Sequence, residues 1–201
     1  MKVFTQINKP LKGLDDDEIW LPCLTTSTVK HIKAWKQPLI ITHIAAIENY
    51  EFDIVELINE QVHCIGSNTY SRLKDFGFTN VSMHGLHADD IRVNQKPIAP
   101  ATWLHGDRFT KDFGKFTGIT AIQTYETSLI DSSLDAIVTM CQNGSLDSLY
   151  VYSDMTVEAL ESKEVDWSAV ELFYTDSCKP DSTKWKTIKN FYPGEEGEAP
   201  L

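Results

Sequence analysis

Val62-His63-Cys64-Ile65-Gly66-Ser67-Asn68-Thr69-Tyr70-Ser71-Arg72-Leu73-Lys74-Asp75-Phe76-Gly77-Phe78 decides the fold class. Val62 to Ile65 is a short apolar run that Gly66 ends, so it reads as a buried strand. Asn68 to Phe76 reads as a short helix, with Gly77 as its stop signal. Asn80 to Met83 is the next strand. A strand, a helix and a strand in succession form the repeating unit of a parallel sheet. Within the first strand His63 and Cys64 point to opposite faces, so these neighbours do not make a Cys–His catalytic pair.

The pattern continues on both sides. Upstream, Leu39-Ile40-Ile41-Thr42 reads as a buried strand. A helix is expected from Ile44 to Ile58, with Ile47, Ile54, Leu57 and Ile58 at helical spacing. Val3 to Thr5 is a short strand, and Pro22 demotes Ile19 to Leu24 to an edge strand or an extended crossing. Downstream, Ala101 to Leu104 is a strand, Asp107 to Phe116 a helix that breaks at Gly118, and Ile119 to Tyr125 a strand. A helix from Ser133 to Gln142 ends at Asn143-Gly144. Leu149 to Tyr152, Val157 to Leu160 and Ala169 to Tyr174 read as strand, helix, strand. A last helical stretch follows Pro180 to about Phe191, and Tyr192 to Leu201 reads as disordered.

Regular alternation of this kind means an α/β protein built on parallel sheets. Such sheets bind ligands outside the carboxyl ends of their strands. Those ends are Thr42-His43, Gly66 to Thr69, His105 to Arg108, Ser153-Asp154 and Thr175 to Cys178. The Leu39-to-Gly66 and Leu149-to-Thr175 segments look alike, as a true repeat or as any two α/β units would.

A chain of 201 residues holds one or two domains. With 42% hydrophobic and 23% charged residues it has an ordinary globular composition. The net charge of −11, from 18 Lys and Arg against 29 Asp and Glu, excludes a duplex nucleic-acid binder, which needs a basic surface. Asp15-Asp16-Asp17-Glu18 and Glu195-Glu196-Gly197-Glu198 read as a solvated loop and a solvated end. No apolar run approaches the roughly 18 residues of a membrane span, and the first residues lack a signal peptide's apolar core. A cytoplasmic protein without membrane or nucleic-acid partners is therefore expected. Cys23, Cys64, Cys141 and Cys178 have no paired spacing, which predicts reduced thiols and no structural zinc.

The P-loop, dinucleotide and nucleophile-elbow motifs are missing. His84-Gly85-Leu86-His87 invites a metal reading, but a site needs further ligands at defined spacing, so surface-loop histidines are expected. His43, at a strand end, is a better site candidate. Asp107 is either a helix N-cap or a catalytic carboxylate. The dispersed Trp20, Trp35, Trp103, Trp167 and Trp185 are expected to pack in cores or interfaces.

Five motifs in order resemble those of uroporphyrinogen-III synthases. Cys64 to Phe78 is similar to the family's strand, glycine, threonine and helix ending in Leu…Gly-Phe. Leu39 to His43 resembles its upstream strand ending in Phe-Thr-Ser. Trp103-Leu104-His105-Gly106-Asp107-Arg108 resembles a later strand and small-residue turn. Ile122 to Thr127 resembles its Val-Tyr-x-Thr strand, and Leu149 to Asp154 its second Phe-Thr-Ser strand.

The resemblance implies two parallel-sheet α/β domains joined by a two-stranded connector near Leu21–Thr26 and Ala121–Leu129. One domain would hold residues 27–122; the other, discontinuous, residues 1–26 with 123–201. The implied activity is closure of hydroxymethylbilane to uroporphyrinogen III, with loss of water and inversion of ring D, by positioning in an interdomain cleft. The implied protein is a monomer that uses no metal or cofactor and takes a linear tetrapyrrole as its partner. Tyr125 falls at the family's candidate proton donor; a connector-strand aromatic is the plainer role. By position Thr42, His43, Ser67, Thr69, Gly106, Arg108, Ser153 and Asp154 would bind substrate, with Lys111 as a further cation. The chain departs from the pattern at His43, at Asp154, at Thr175 to Cys178 and in its shortness, with its last strand and helix expected to be missing or reduced. These departures keep a second reading open, a non-catalytic relative that binds a tetrapyrrole or serves as an interaction module.

Overall fold

The computed structural model describes residues 1–7, 9–10, 13–29, 38–48, 58–92, 98–175 and 178–191. The chain divides into two compact units, Met1–Thr25 with Ser128–Leu201, and Thr26–Thr127.

The second unit is built on strands β4 (Leu39–Ile41), β5 (Gln61–Cys64), β6 (Asn80–Met83), β7 (Ala101–Gly106) and the long β8 (Ile119–Leu129). With β3 (Leu24–Thr28) they form one sheet in the order β3-β8-β7-β4-β5-β6. The pairs β8/β7, β7/β4, β4/β5 and β5/β6 are all parallel. Leu39-Ile40-Ile41 is apolar throughout because a central parallel strand is covered on both faces. Leu39 and Ile41 pack with Val62, Cys64, Leu104 and Leu73 on one face. Ile40 packs with Ala101, Trp103, Phe113 and Ile119 on the other.

Helix α1 (Ala45–Glu48) follows β4, and α2 (Ser67–Asp75) joins β5 to β6. The rest of the helix expected from Ile44, positions 49–57, lies outside the described residues, as do Trp35, Asp176, Ser177 and the tail from Tyr192. Leu73, fully buried on α2, contributes about 2 kcal/mol of apolar burial.

The first unit is a five-stranded sheet made of β1 (Lys2–Phe4), β2 (Glu18–Trp20), β9 (Ser148–Val151), β10 (Glu171–Tyr174) and β11 (Thr187–Asn190). Its order is β11-β10-β9-β1-β2, with every pair parallel. Helices α3 (Asp131–Gln142) and α4 (Asp154–Glu161) bring Leu134, Ile137, Val157 and Leu160 onto Val3, Leu149, Val151 and Leu172. Trp167 and Trp185 stack at 5.0 Å beside them. The alternate positions carry an aromatic row across three strands. Phe4, Tyr150 and Phe173 are register partners, their rings stacked at 4.5 Å from strand to strand.

Two expected helices are corrected. Asp107 to Phe116 holds only a 3-10 turn, Phe113–Lys115, capped by Asp112. Asp107 is therefore no N-cap: its carboxylate accepts the Thr127 N–H at 2.9 Å. Lys111 is drawn to the Ala88 and Ile91 carbonyls and to Asp89. The stretch after Pro180 ends in strand β11, not a helix. Its alternation explains this: Ile188 packs on the helix-covered face, while Lys189 lies over the Phe173 ring on the other.

Candidate functional site

In the second unit the chain runs from β4 to β5 and β6 on one side, whereas β7 and β8 lie on the other. The strand order reverses between β4 and β7. The crevice outside the carboxyl ends of two such strands is where open α/β sheets take ligands. Thr42-His43 follows β4 and Gly106 ends β7, so both flank that point.

Tyr125 joins them through an irregularity. Strands β7 and β8 keep register from Ala101↔Ile119 to His105↔Gln123, but the partner of Gly106 is Tyr125. Thr124 is the extra residue of a β-bulge. Without it Tyr125 would share a face with Ile119 and Gln123. One added residue turns it to the face of Ile122 and Leu104. Tyr125 is buried there with Ile41, Cys64 and Leu104. Its ring centroid lies 6.0 Å from that of His43.

Burial, and secondarily the Asp107 carboxylate, push the Tyr125 phenol up to about 12. The phenol is thus a neutral O–H donor at pH 7. His43 is neutral too. Burial first, then the Arg72 guanidinium, hold it down at about 4. Its Nδ1 accepts the Ala45 N–H at 3.2 Å, so a neutral ring carries its proton on Nε2. Arg72 donates to Glu48 at 3.0 Å, and its Nε is buried with no partner among the described residues.

The start of α2 adds backbone donors. Gly66, at φ 75°, precedes the helix, and no described side chain caps it. Such a terminus presents unpaired N–H groups and the positive end of the helix dipole. Ser67 is half-buried and Thr69 buried in this first turn. The loop after β6 anchors it, because the Gly66 N–H donates to the Gly85 carbonyl at 2.7 Å.

The structure thus brings His43, Gly106 and Tyr125 together, with Thr42 adjacent in sequence. Arg108 is exposed. Ser153 and Asp154 lie in the other unit and are engaged locally. The Ser153 hydroxyl accepts the Met155 N–H at 3.2 Å, and the Asp154 carboxylate accepts the Lys179 N–H at 2.6 Å.

Three features escaped the sequence reading. The Arg72–Glu48 pair is 24 residues apart, with no local spacing to announce it. The bulge at Thr124 leaves no residue-type signal. His84, expected as a surface-loop histidine, meets His63 instead, with Nε2 and Nδ1 2.7 Å apart. One ring nitrogen donates and the other accepts; burial, then His84, hold His63 down at about 4. The cysteines offer no nucleophile near Tyr125: burial pushes the Cys64 thiol up to about 11. No group of three metal-ligating side chains occurs among the described residues.

No family model and no curated protein matches the sequence. Among solved structures, the uroporphyrinogen-III synthetase of Helicobacter pylori is similar at 12% identity and TM-score 0.57. The match covers 86% of this chain and 82% of that one. A mutant uroporphyrinogen III synthase of Thermus thermophilus aligns at 14% identity over 98% of this chain and 93% of its own, with a TM-score of 0.48. At these identities the likeness is one of fold, and it rests on the first structure: the chain shares the α/β fold of the Helicobacter pylori uroporphyrinogen-III synthetase.

Proposed function

We propose that this chain is a cyclising lyase that closes hydroxymethylbilane to uroporphyrinogen III, with loss of water and inversion of ring D. The observation that carries the reading is Tyr125, a buried neutral phenol turned by a bulge to the strand ends where this fold takes ligands. Departure of the substrate hydroxyl as water needs a proton donor within hydrogen-bond reach, and Tyr125 supplies one. His43 contributes a second neutral donor through Nε2. Thr42, Ser67, Thr69 and the uncapped amides of α2 receive substrate carboxylates, which the helix dipole favours. Holding the bilane in one folded geometry directs closure to the substituted carbon of the last ring.

Ser153 and Asp154 are left out of this set, because their side chains are engaged within their own unit. That engagement favours the second reading, a non-catalytic relative that binds a tetrapyrrole or a partner.

The test supplies purified protein with hydroxymethylbilane generated in place, then oxidises the products and separates isomers I and III. The expected result is predominant isomer III, formed about 10²–10⁴-fold more slowly by Tyr125→Phe. Isomer III unaffected by Tyr125→Phe keeps the lyase and removes the tyrosine from its chemistry. Isomer I alone, at the rate without protein, rejects the lyase in favour of the second reading.

A further inference from the structure

We propose that Gly106 is a positioning residue, the seat that sets where the Tyr125 ring lies. This rests on the reading of Tyr125 as the proton donor only for its consequence in catalysis.

A glycine, Gly106, stands at the end of β7. Five described glycines, at 66, 77, 85, 118 and 144, have positive φ and need glycine for backbone reasons. Gly106 is not among them, so its backbone suits any L-residue. Space is the constraint. A Cβ at position 106 would lie 2.5 Å from Tyr125 Cζ and 2.9 Å from Oη, and would also collide with Cε2. Those atoms belong to a buried aromatic ring, not to the flexible end of an exposed chain. The register shift at Thr124 brings the ring over this residue. Bulge and missing side chain therefore act on one ring.

The test is a Gly106→Ala variant labelled with 3-fluorotyrosine, the Tyr125 ¹⁹F resonance being identified by its loss in Tyr125→Phe. The expected result is displacement of that resonance with the other tyrosine signals held in place. An unmoved Tyr125 resonance overturns the proposal. In the isomer assay, kcat should fall about 10²-fold, the size of effect that a misplacement of about 1 Å produces, with KM little changed. A displaced resonance with unchanged kcat upholds Gly106 as the seat and refutes Tyr125 as the donor, so the two failures are distinguishable.

Melting gives a second test that needs no substrate and covers poor folding of the single variant. Gly106→Ala should lower Tm by about 5 °C, an overpacking effect. In a Tyr125→Ala background the same substitution should lower it by far less, because the ring it collides with is gone. Equal losses in both backgrounds overturn the proposal.

Discussion

The strand-to-helix corner at Gly66 and the one at Ser153 face the same physical problem in the two units and solve it differently. Each helix begins with backbone N–H groups that have no partner within the helix. At α4 the chain supplies its own acceptor in Ser153, and Asp154 places a negative charge in the first turn. At α2 the preceding residue is a glycine without a side chain, and the first turn holds no acid. The first solution satisfies an amide within the chain; the second leaves the first turn without a side-chain acceptor. The resemblance placed substrate ligands at both corners. The difference teaches that equivalent positions in two like units need not share a role.

Charge sharpens the contrast. All six histidines, at 31, 43, 63, 84, 87 and 105, fall in Thr26–Thr127, and none in the other unit. His63 and His43 are held at about 4 against an ordinary 6.5. Between those values each is neutral when folded and protonated when unfolded. Their stabilisation is therefore complete above about 6.5 and is lost as pH falls toward 4. In the first unit the shifted carboxylates are exposed: the Met1 ammonium holds Asp147 below its ordinary 3.8, and hydrogen bonds from Ser168 and Thr183 do the same for Asp166 and Asp181. Their contribution is lost only below that value. Amide NMR spectra recorded from pH 7.5 to 4.5 should therefore show residues 26–127 losing native peaks before the others. Simultaneous loss, or loss first in the other unit, breaks the comparison.

Much of this architecture was legible in the sequence. Apolar runs such as Leu39–Ile41 and Gly stops such as Gly77 mark elements by local chemistry, and local chemistry is what a sequence displays. The failures were long-range. Thr187–Asn190 became a strand because β10 offers it an edge and the aromatic face a place for Phe191. Asp107 to Phe116 lost its helix because Lys111 and Asp107 found partners elsewhere. The site was half legible. His43 and Tyr125 were named, but the bulge that puts Tyr125 beside His43 is a property of two paired strands. The strand expected over Ile119 to Tyr125 reads straight through it.

Substitutions at the two corners should follow their chemistry. Gly66→Ala meets no atom within 4 Å, so its penalty is purely backbone, at φ 75° and ψ 141°. That region is nearly closed to residues with a Cβ, and the expected cost is about 1–3 kcal/mol in urea unfolding. A loss of a few tenths would mean that the corner relaxes, and that its glycine is not there for conformation.

Ser153→Ala removes a cap, and the expected cost is about 1 kcal/mol. Ser153→Gly should cost only a few tenths, because a glycine at that position leaves the first amides open to water. Measured together by denaturant unfolding, the pair separates loss of an acceptor from loss of access. If alanine and glycine destabilise equally, the Ser153 hydroxyl bond to Met155 contributes little, and α4 is held by the packing of Val157 and Leu160. The same proteins in the isomer assay decide whether the corner is closed. A KM unchanged by either substitution leaves α2 as the open one. A KM raised by both returns Ser153 to the substrate, and the two corners would then be alike in function after all.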